Sequence, residues 1–64
     1  MKENNLKEAA RLSFILESRQ EALAYWLEIK AARPGYFTNE VDRHIATCKK
    51  DIETASRKIK ALLA

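Results

Sequence analysis

Three side chains that can bind a metal ion recur every four residues: Glu40, His44 and Cys48. Residues four apart lie on the same face of an α-helix, so the carboxylate, the imidazole and the thiol would be neighbours there. Zinc accepts these donors, but it usually takes three or four of them from more than one element. Because the sequence contains no other histidine or cysteine, we predict no metal and no cofactor. Cys48 is then expected in a helix core, with His44 at its edge.

The sequence offers little for catalysis. It contains a single glycine, which excludes a glycine-rich phosphate-binding loop. No base lies at hydrogen-bonding spacing from Ser13, Ser18 or Ser56, and no pair of carboxylates marks an obvious pocket. We therefore predict a protein without enzymatic activity and without a small-molecule substrate.

The length of 64 residues allows one small domain, and small domains bury a small share of their surface. Such chains are usually stabilised by disulfides, a metal or a partner chain, and a single cysteine rules out an intramolecular disulfide. We therefore expect a partner chain. Cys48 alone suits a reducing compartment, no apolar run is as long as a membrane span, and the polar N-terminus Met1–Asn5 lacks the apolar core of a secretion signal. These features predict a cytoplasmic protein without a membrane contact.

A single break interrupts the helical pattern, at residues 33–38. Pro34 disfavours helical geometry in the residue before it, and Gly35 is predicted to supply the backbone freedom that a helix end needs. Thr38 or Asn39 is the candidate cap of the following helix.

The predicted fold is all-α. Helix 1 is expected over about residues 4–33, with Asn4 or Asn5 as its cap, the turn over 34–38 and helix 2 over about 39–63. A turn this short makes the two helices antiparallel neighbours, so the chain is expected to form one helical hairpin over residues 1–64.

Helix 2 is apolar along one narrow stripe and charged elsewhere. The stripe alternates steps of four and three residues, which is typical of a helix that packs against another helix. Isoleucine occupies every first position of the heptad, and mostly small residues occupy the fourth. Its members are Val41, Ile45, Cys48, Ile52, Ala55, Ile59 and Leu62.

Helix 1 is apolar over more than half of its circumference. One line consists of Leu12, Leu16, Leu23 and Leu27. A second line beside it consists of Ile15, Ala22, Trp26 and Ile29, and Phe14 and Tyr25 extend it. Helix 2 can cover one line, and the other would remain as an apolar patch too large for a monomer. We therefore predict that a second chain covers helix 1, most simply in a symmetric dimer that forms a four-helix bundle.

The leading functional hypothesis is a protein–protein interaction module that binds itself or another helical protein. It would be a small adaptor, chaperone or regulator of bacterial or phage type. The residues predicted to bind the partner are Leu16, Arg19, Leu23, Trp26 and Ile29.

Arg19 and the two aromatic residues of the turn can also be explained by roles in the fold. Arg19 lies among apolar residues of helix 1, where a guanidinium requires a partner, and Glu53 of helix 2 is the expected one. Tyr36 and Phe37 are expected to cover the turn end of the hairpin, with Phe37 packed near Val41 as in a hydrophobic staple.

Nucleic-acid binding is the first alternative, because helix 2 carries most of the excess positive charge. The net charge is +3, which is modest for a nucleic-acid-binding protein. The candidate residues spread round the exposed arc of the helix and have few aromatic residues among them. They are Arg43, Lys49, Lys50, Arg57, Lys58 and Lys60.

A short segment supplies the second alternative. Residues 37–42 resemble the second-helix signature of the small sporulation-regulator phosphatases, Ser-Gln-Glu-Leu-Asp. Glu40 and Asp42 match it, whereas Thr38, Asn39 and Val41 replace its Ser, Gln and Leu. The resemblance implies a regulator that acts on an aspartyl-phosphate partner.

Two further families share the length and architecture of the predicted hairpin. The plasmid copy-number RNA-binding hairpin dimers look like it, and this likeness implies RNA binding by an exposed bundle face. The small co-chaperones of type III secretion needle subunits are also similar in size, turn position and one-sided second helix. That likeness implies pairing with a second chain to shield an aggregation-prone subunit. Likeness at this level is analogy of fold.

Overall fold

The computed structural model describes residues 3–64, which form two helices packed against each other. Helix α1 comprises Glu3–Ala32 and helix α2 comprises Thr38–Leu63. The hairpin measures 49 × 13 × 13 Å, and no strand occurs within residues 3–64. The predicted all-helical hairpin is therefore confirmed. Met1 and Lys2, part of the polar N-terminus considered above, lie outside the described residues.

The residue of the turn that adopts a left-handed conformation is not the predicted glycine. The amide of Tyr36 donates to the carbonyl of Arg33 at 3.0 Å, which closes a four-residue turn with Pro34 and Gly35 in the middle. Gly35 does not have a positive φ, so the turn is type I rather than type II. The left-handed residue is Phe37, with φ 40° and ψ 49°.

The predicted helix caps were wrong. Thr38 is the first residue of α2, and Phe37 precedes it without a side-chain capping hydrogen bond. The Thr38 hydroxyl instead donates to the Pro34 carbonyl at 3.2 Å, which ties the start of α2 back to the turn. Asn4 and Asn5 lie inside α1. Both predictions placed the helix start one or more residues too late.

The core is one thin seam between the helices. On α2 the predicted heptad stripe is confirmed: Val41, Ile45, Cys48 and Ala55 are buried, and Ile52, Ile59 and Leu62 are half-buried. On α1 only Ala9 and Leu12 are buried. Small residues at Ala9, Cys48 and Ala55 let the two helices approach closely. The seam therefore contains few large side chains that are completely removed from water.

The turn geometry predicts the effect of replacing its glycine. A Cβ atom at Gly35 would meet nothing within 4 Å, and the residue has no positive φ. We expect Gly35→Ala to raise the free energy of unfolding by about 0.4–1 kcal/mol, because alanine restricts the unfolded chain. Urea unfolding followed by circular dichroism measures this. A loss of 1 kcal/mol or more would contradict the type I turn.

Candidate interaction surface

The stripe of α1 that faces α2 is identified by its contacts. Ala9 and Leu12 on it are buried, Arg19 forms an ion pair with Asp51 of α2 at 3.2 Å, and the Trp26 ring stacks on the His44 ring of α2. These residues follow one another in steps of three, seven and seven. They therefore lie on one side of α1, and this side packs against its own partner helix.

Within residues 3–64, a second side of α1 is left largely uncovered by α2. Phe14 is 78% exposed, Tyr25 59% and Ile15 42%, whereas Leu6 and Leu27, at 53% and 44%, lie elsewhere on α1. We call this side the free face. Its members are Arg11, Phe14, Ile15, Ser18, Ala22, Tyr25 and Ile29.

The position of the free face follows from helix geometry. Each residue of an α-helix is rotated by about 100° from the one before it. Ile15, Ser18 and Tyr25 immediately precede Leu16, Arg19 and Trp26, which lie on the side toward α2. The free face is therefore turned by about 100° from the seam, so α2 cannot cover both.

A groove of about 690 Å³ opens at the turn end of the free face. Four of the five aromatic residues of the chain line it: Tyr25, Trp26, Tyr36 and Phe37. The Tyr25 ring meets the Trp26 ring edge-on at 5.2 Å, and the Tyr36 ring meets the Phe37 ring edge-on at 4.6 Å. Phe37 is still 61% exposed. The expectation that it is covered like a hydrophobic staple was therefore wrong.

Charged groups at the groove limit what it can bind. Glu28, Glu40 and Arg33 line it beside the aromatic rings. The Arg33 guanidinium lies 5.3 Å from the centre of the Tyr36 ring, within the range of a cation–π contact. His44 forms part of the wall, with its ring parallel to Trp26 at 4.2 Å and an interplanar angle of 5°. The surface is apolar and aromatic, with a charged rim.

Arg19 joins the helices through a different carboxylate from the predicted one. Its Nε atom lies 3.2 Å from Oδ2 of Asp51, and both side chains are partly exposed. Glu53, the expected partner, pairs with Arg57 on its own helix. The prediction missed by two residues, a shift of about 200° round α2. Since Asp51 neutralises it, Arg19 acts within the hairpin as a link between α1 and α2.

The other residues predicted to bind a partner do not all lie on the same side of α1. Leu16 and Leu23 are half-buried and lie on the side toward α2, whereas Ile29 is half-buried at the groove. Trp26 also lies on the side toward α2, where its ring stacks on His44. Phe14, Ile15 and Tyr25 are the exposed large apolar side chains of the free face, and the predicted set of partner-binding residues left them out. The signal for Ile15 and Tyr25 was their place directly before Leu16 and Trp26, which moves them one step round the helix. Phe14 lies one step further round.

The basic residues of α2 form no single patch. All six candidates are exposed, and Arg57 is paired with Glu53. Their positions cover about half of the circumference of α2 at 100° per residue. This spread agrees with the distribution described from the sequence.

The acidic candidates and the metal-binding candidates also lie in different surroundings. Asp42 accepts from Lys30 of α1 at 2.8 Å, Glu40 is exposed at the groove, and Cys48 is a buried free thiol. Among residues 3–64, no three or more His, Cys, Asp or Glu side chains group closely enough to hold a metal ion. His44 uses its ring in the stack with Trp26.

Comparison with protein families, with curated proteins and with solved structures found no match to this chain. Over residues 3–64, neither helix has a stretch long and apolar enough to cross a membrane.

The hairpin exposes more surface to solvent than a compact chain of the same mass. The chain exposes 5146 Å², whereas a compact folded chain of its mass, 7.4 kDa, is expected to expose about 4,200 Å². The excess is about 900 Å² by the same relation. One partner of a standard protein–protein interface buries about 800 Å². This excess belongs to the elongated shape of the whole hairpin, which measures 49 × 13 × 13 Å, and not to the free face alone.

The stack between Trp26 and His44 predicts an energetic coupling across the seam. We expect a double-mutant cycle of Trp26→Leu and His44→Ala to give a coupling of about 0.5–1.5 kcal/mol, because parallel rings in contact contribute beyond their buried area. Urea unfolding followed by circular dichroism at one protein concentration measures it. A matched cycle of Tyr25→Leu and His44→Ala serves as the control. Additive effects in the first cycle would contradict the stack.

Proposed function

We propose that this chain is a non-enzymatic protein–protein interaction module that acts through the free face of α1 in a helical bundle. The observation that supports the proposal is the exposure of Phe14, Ile15 and Tyr25 on one side of α1. An exposed apolar patch of this kind marks an interaction site or a liability to aggregate. The roles that fit such a module are those of a small adaptor, chaperone or regulator.

The shape of the free face favours a helix as its partner. From Arg11 to Ile29 it extends over 19 residues, or about 27 Å between the first and the last at a rise of 1.5 Å per residue. Its members recur at helical heptad spacing, and a second helix packs onto this spacing by placing side chains between those of the first. A short peptide would cover only part of it. A helix of four to five turns would cover all of it.

The two alternatives lack a comparable observation. Nucleic-acid binding would use the six basic residues of α2, but these are spread round the helix and one is paired with Glu53. A phosphatase-type regulator would use Glu40 and Asp42, and Asp42 is engaged by Lys30. For the compartment, we propose the cytoplasm, since the buried thiol of Cys48 is free and free thiols persist in reducing surroundings.

Site-specific photo-crosslinking tests the proposal. With a benzophenone amino acid in place of Tyr25, we expect irradiation in a lysate of the source cells to yield a discrete adduct, because the free face would be covered there. The same amino acid in place of Lys50, on the far side of α2, is the matched control and should yield none. No adduct from position 25, or equal adducts from both positions, would refute the proposed surface.

A further inference from the structure

We infer that the partner is a second copy of this chain, with the two α1 helices packed antiparallel through their free faces. The inference rests on the proposed function and specifies its partner. In this dimer the two α1 helices form the centre, and each α2 lies on the outside of its own α1. The assembly is then a four-helix bundle with a two-fold axis across the middle of α1.

The spacing and size of the free-face residues suit this arrangement. Arg11, Ile15, Ser18, Ala22, Tyr25 and Ile29 follow in steps of four, three, four, three and four residues. The two small side chains, Ser18 and Ala22, are in the middle, and larger ones flank them on both sides. When two such helices run in opposite directions about the position of Gln20, Ser18 meets Ala22 and Ile15 meets Tyr25. Small residues at the crossing let the helices approach closely.

In this register, the protruding Phe14 side chain of one copy and the groove of the other copy come to the same level along the helices. Among residues 3–64, Phe14 is the most exposed large apolar side chain, and the groove beside Tyr25 and Trp26 lies 11–12 residues further along α1. The two-fold axis brings Phe14 of each copy to the level of Trp26 in the other. Tyr25, which lies on the free face and lines the groove, is one residue from that level, so each chain would place its phenylalanine near Tyr25 at the groove of its partner.

Charge favours the antiparallel direction over the parallel one. In a parallel pair each residue meets its own copy, so Arg11 would meet Arg11, a repulsive contact. In the antiparallel register, Arg11 lies opposite Ile29 of the other copy, one residue from the level of Glu28. Within its own chain, Arg11 pairs with Glu8 at 3.1 Å. Within one chain Arg11 and Glu28 are 17 positions apart, about 26 Å along the helix, so they cannot contact each other there.

The apolar surface that a second copy would cover lies on α1, where Phe14, Ile15 and Tyr25 are exposed. By contrast, the side of α2 next to the free face carries polar and charged residues such as Glu40, Asp51 and Lys58. This explains why α1, rather than α2, forms the centre of the inferred dimer.

Sedimentation equilibrium of the full chain tests the inference, together with a charge exchange. We expect twice the mass of the 7.4 kDa chain at micromolar concentration. Arg11→Glu or Glu28→Arg alone should raise the dimer dissociation constant about tenfold, because each exposed ion pair occurs twice in the dimer. The double variant should recover most of this loss. Lys50→Glu, outside the interface, is the matched control, and circular dichroism checks that every variant stays helical.

The outcomes separate this inference from the proposed function. A monomer over the whole concentration range overturns the dimer, and so does a dimer in which the double charge variant is as weak as the single ones. If the protein is monomeric but position 25 crosslinks to a different protein, the dimer is wrong and the interaction module stands. If the protein is monomeric and position 25 crosslinks to nothing, both are wrong.

Discussion

The structure depends on one geometric constraint: two straight helices cover each other along a single seam. In α2 the apolar residues match that seam, and the rest of the helix is polar. In α1 the apolar residues form two stripes about 100° apart, and α2 covers only the one that contains Ala9 and Leu12. The second stripe contains Phe14, Ile15 and Tyr25 and meets water. The proposals for function and partner both follow from this mismatch between the helices.

The seam itself combines close packing with polar contacts that set the alignment of the helices. Two ion pairs join α1 to α2, Arg19 with Asp51 and Lys30 with Asp42. Such exposed pairs add little stability, but a sliding movement of one helix along the other would break both. The ring stack of Trp26 on His44 adds a third contact of defined geometry. These three contacts specify one alignment of the two helices despite the thin core.

The sequence was sufficient to predict the helices, the antiparallel hairpin and the heptad stripe of α2, because these follow from periodicity and from the break at Pro34. It was insufficient for the conformation of the turn. Glycine can adopt a left-handed conformation but is not forced to, and Phe37 adopts it instead. The capping prediction failed for the same reason, since it relied on which residue types favour a cap and not on where the turn ends.

The candidate surface was predicted in outline only. The excess apolar width of α1 was visible from composition, but the division of its residues between seam and free face depends on how α1 is rotated against α2. A change of one residue in that rotation exchanges Leu16 for Ile15 and Trp26 for Tyr25. Arg19 shows the same sensitivity, because its partner is Asp51 rather than Glu53. Rotation is set by contacts such as Trp26 with His44, which no local pattern specifies.

The most direct test of the central claim is the dependence of thermal unfolding on protein concentration. If a second copy covers the free face of α1, folding and association are linked, and stability rises with concentration. Circular dichroism should then show the midpoint of unfolding rising by about 5 °C or more for each tenfold increase in concentration. A sharp, cooperative transition whose midpoint stays constant over a hundredfold range would show that α2 alone is a sufficient partner for α1.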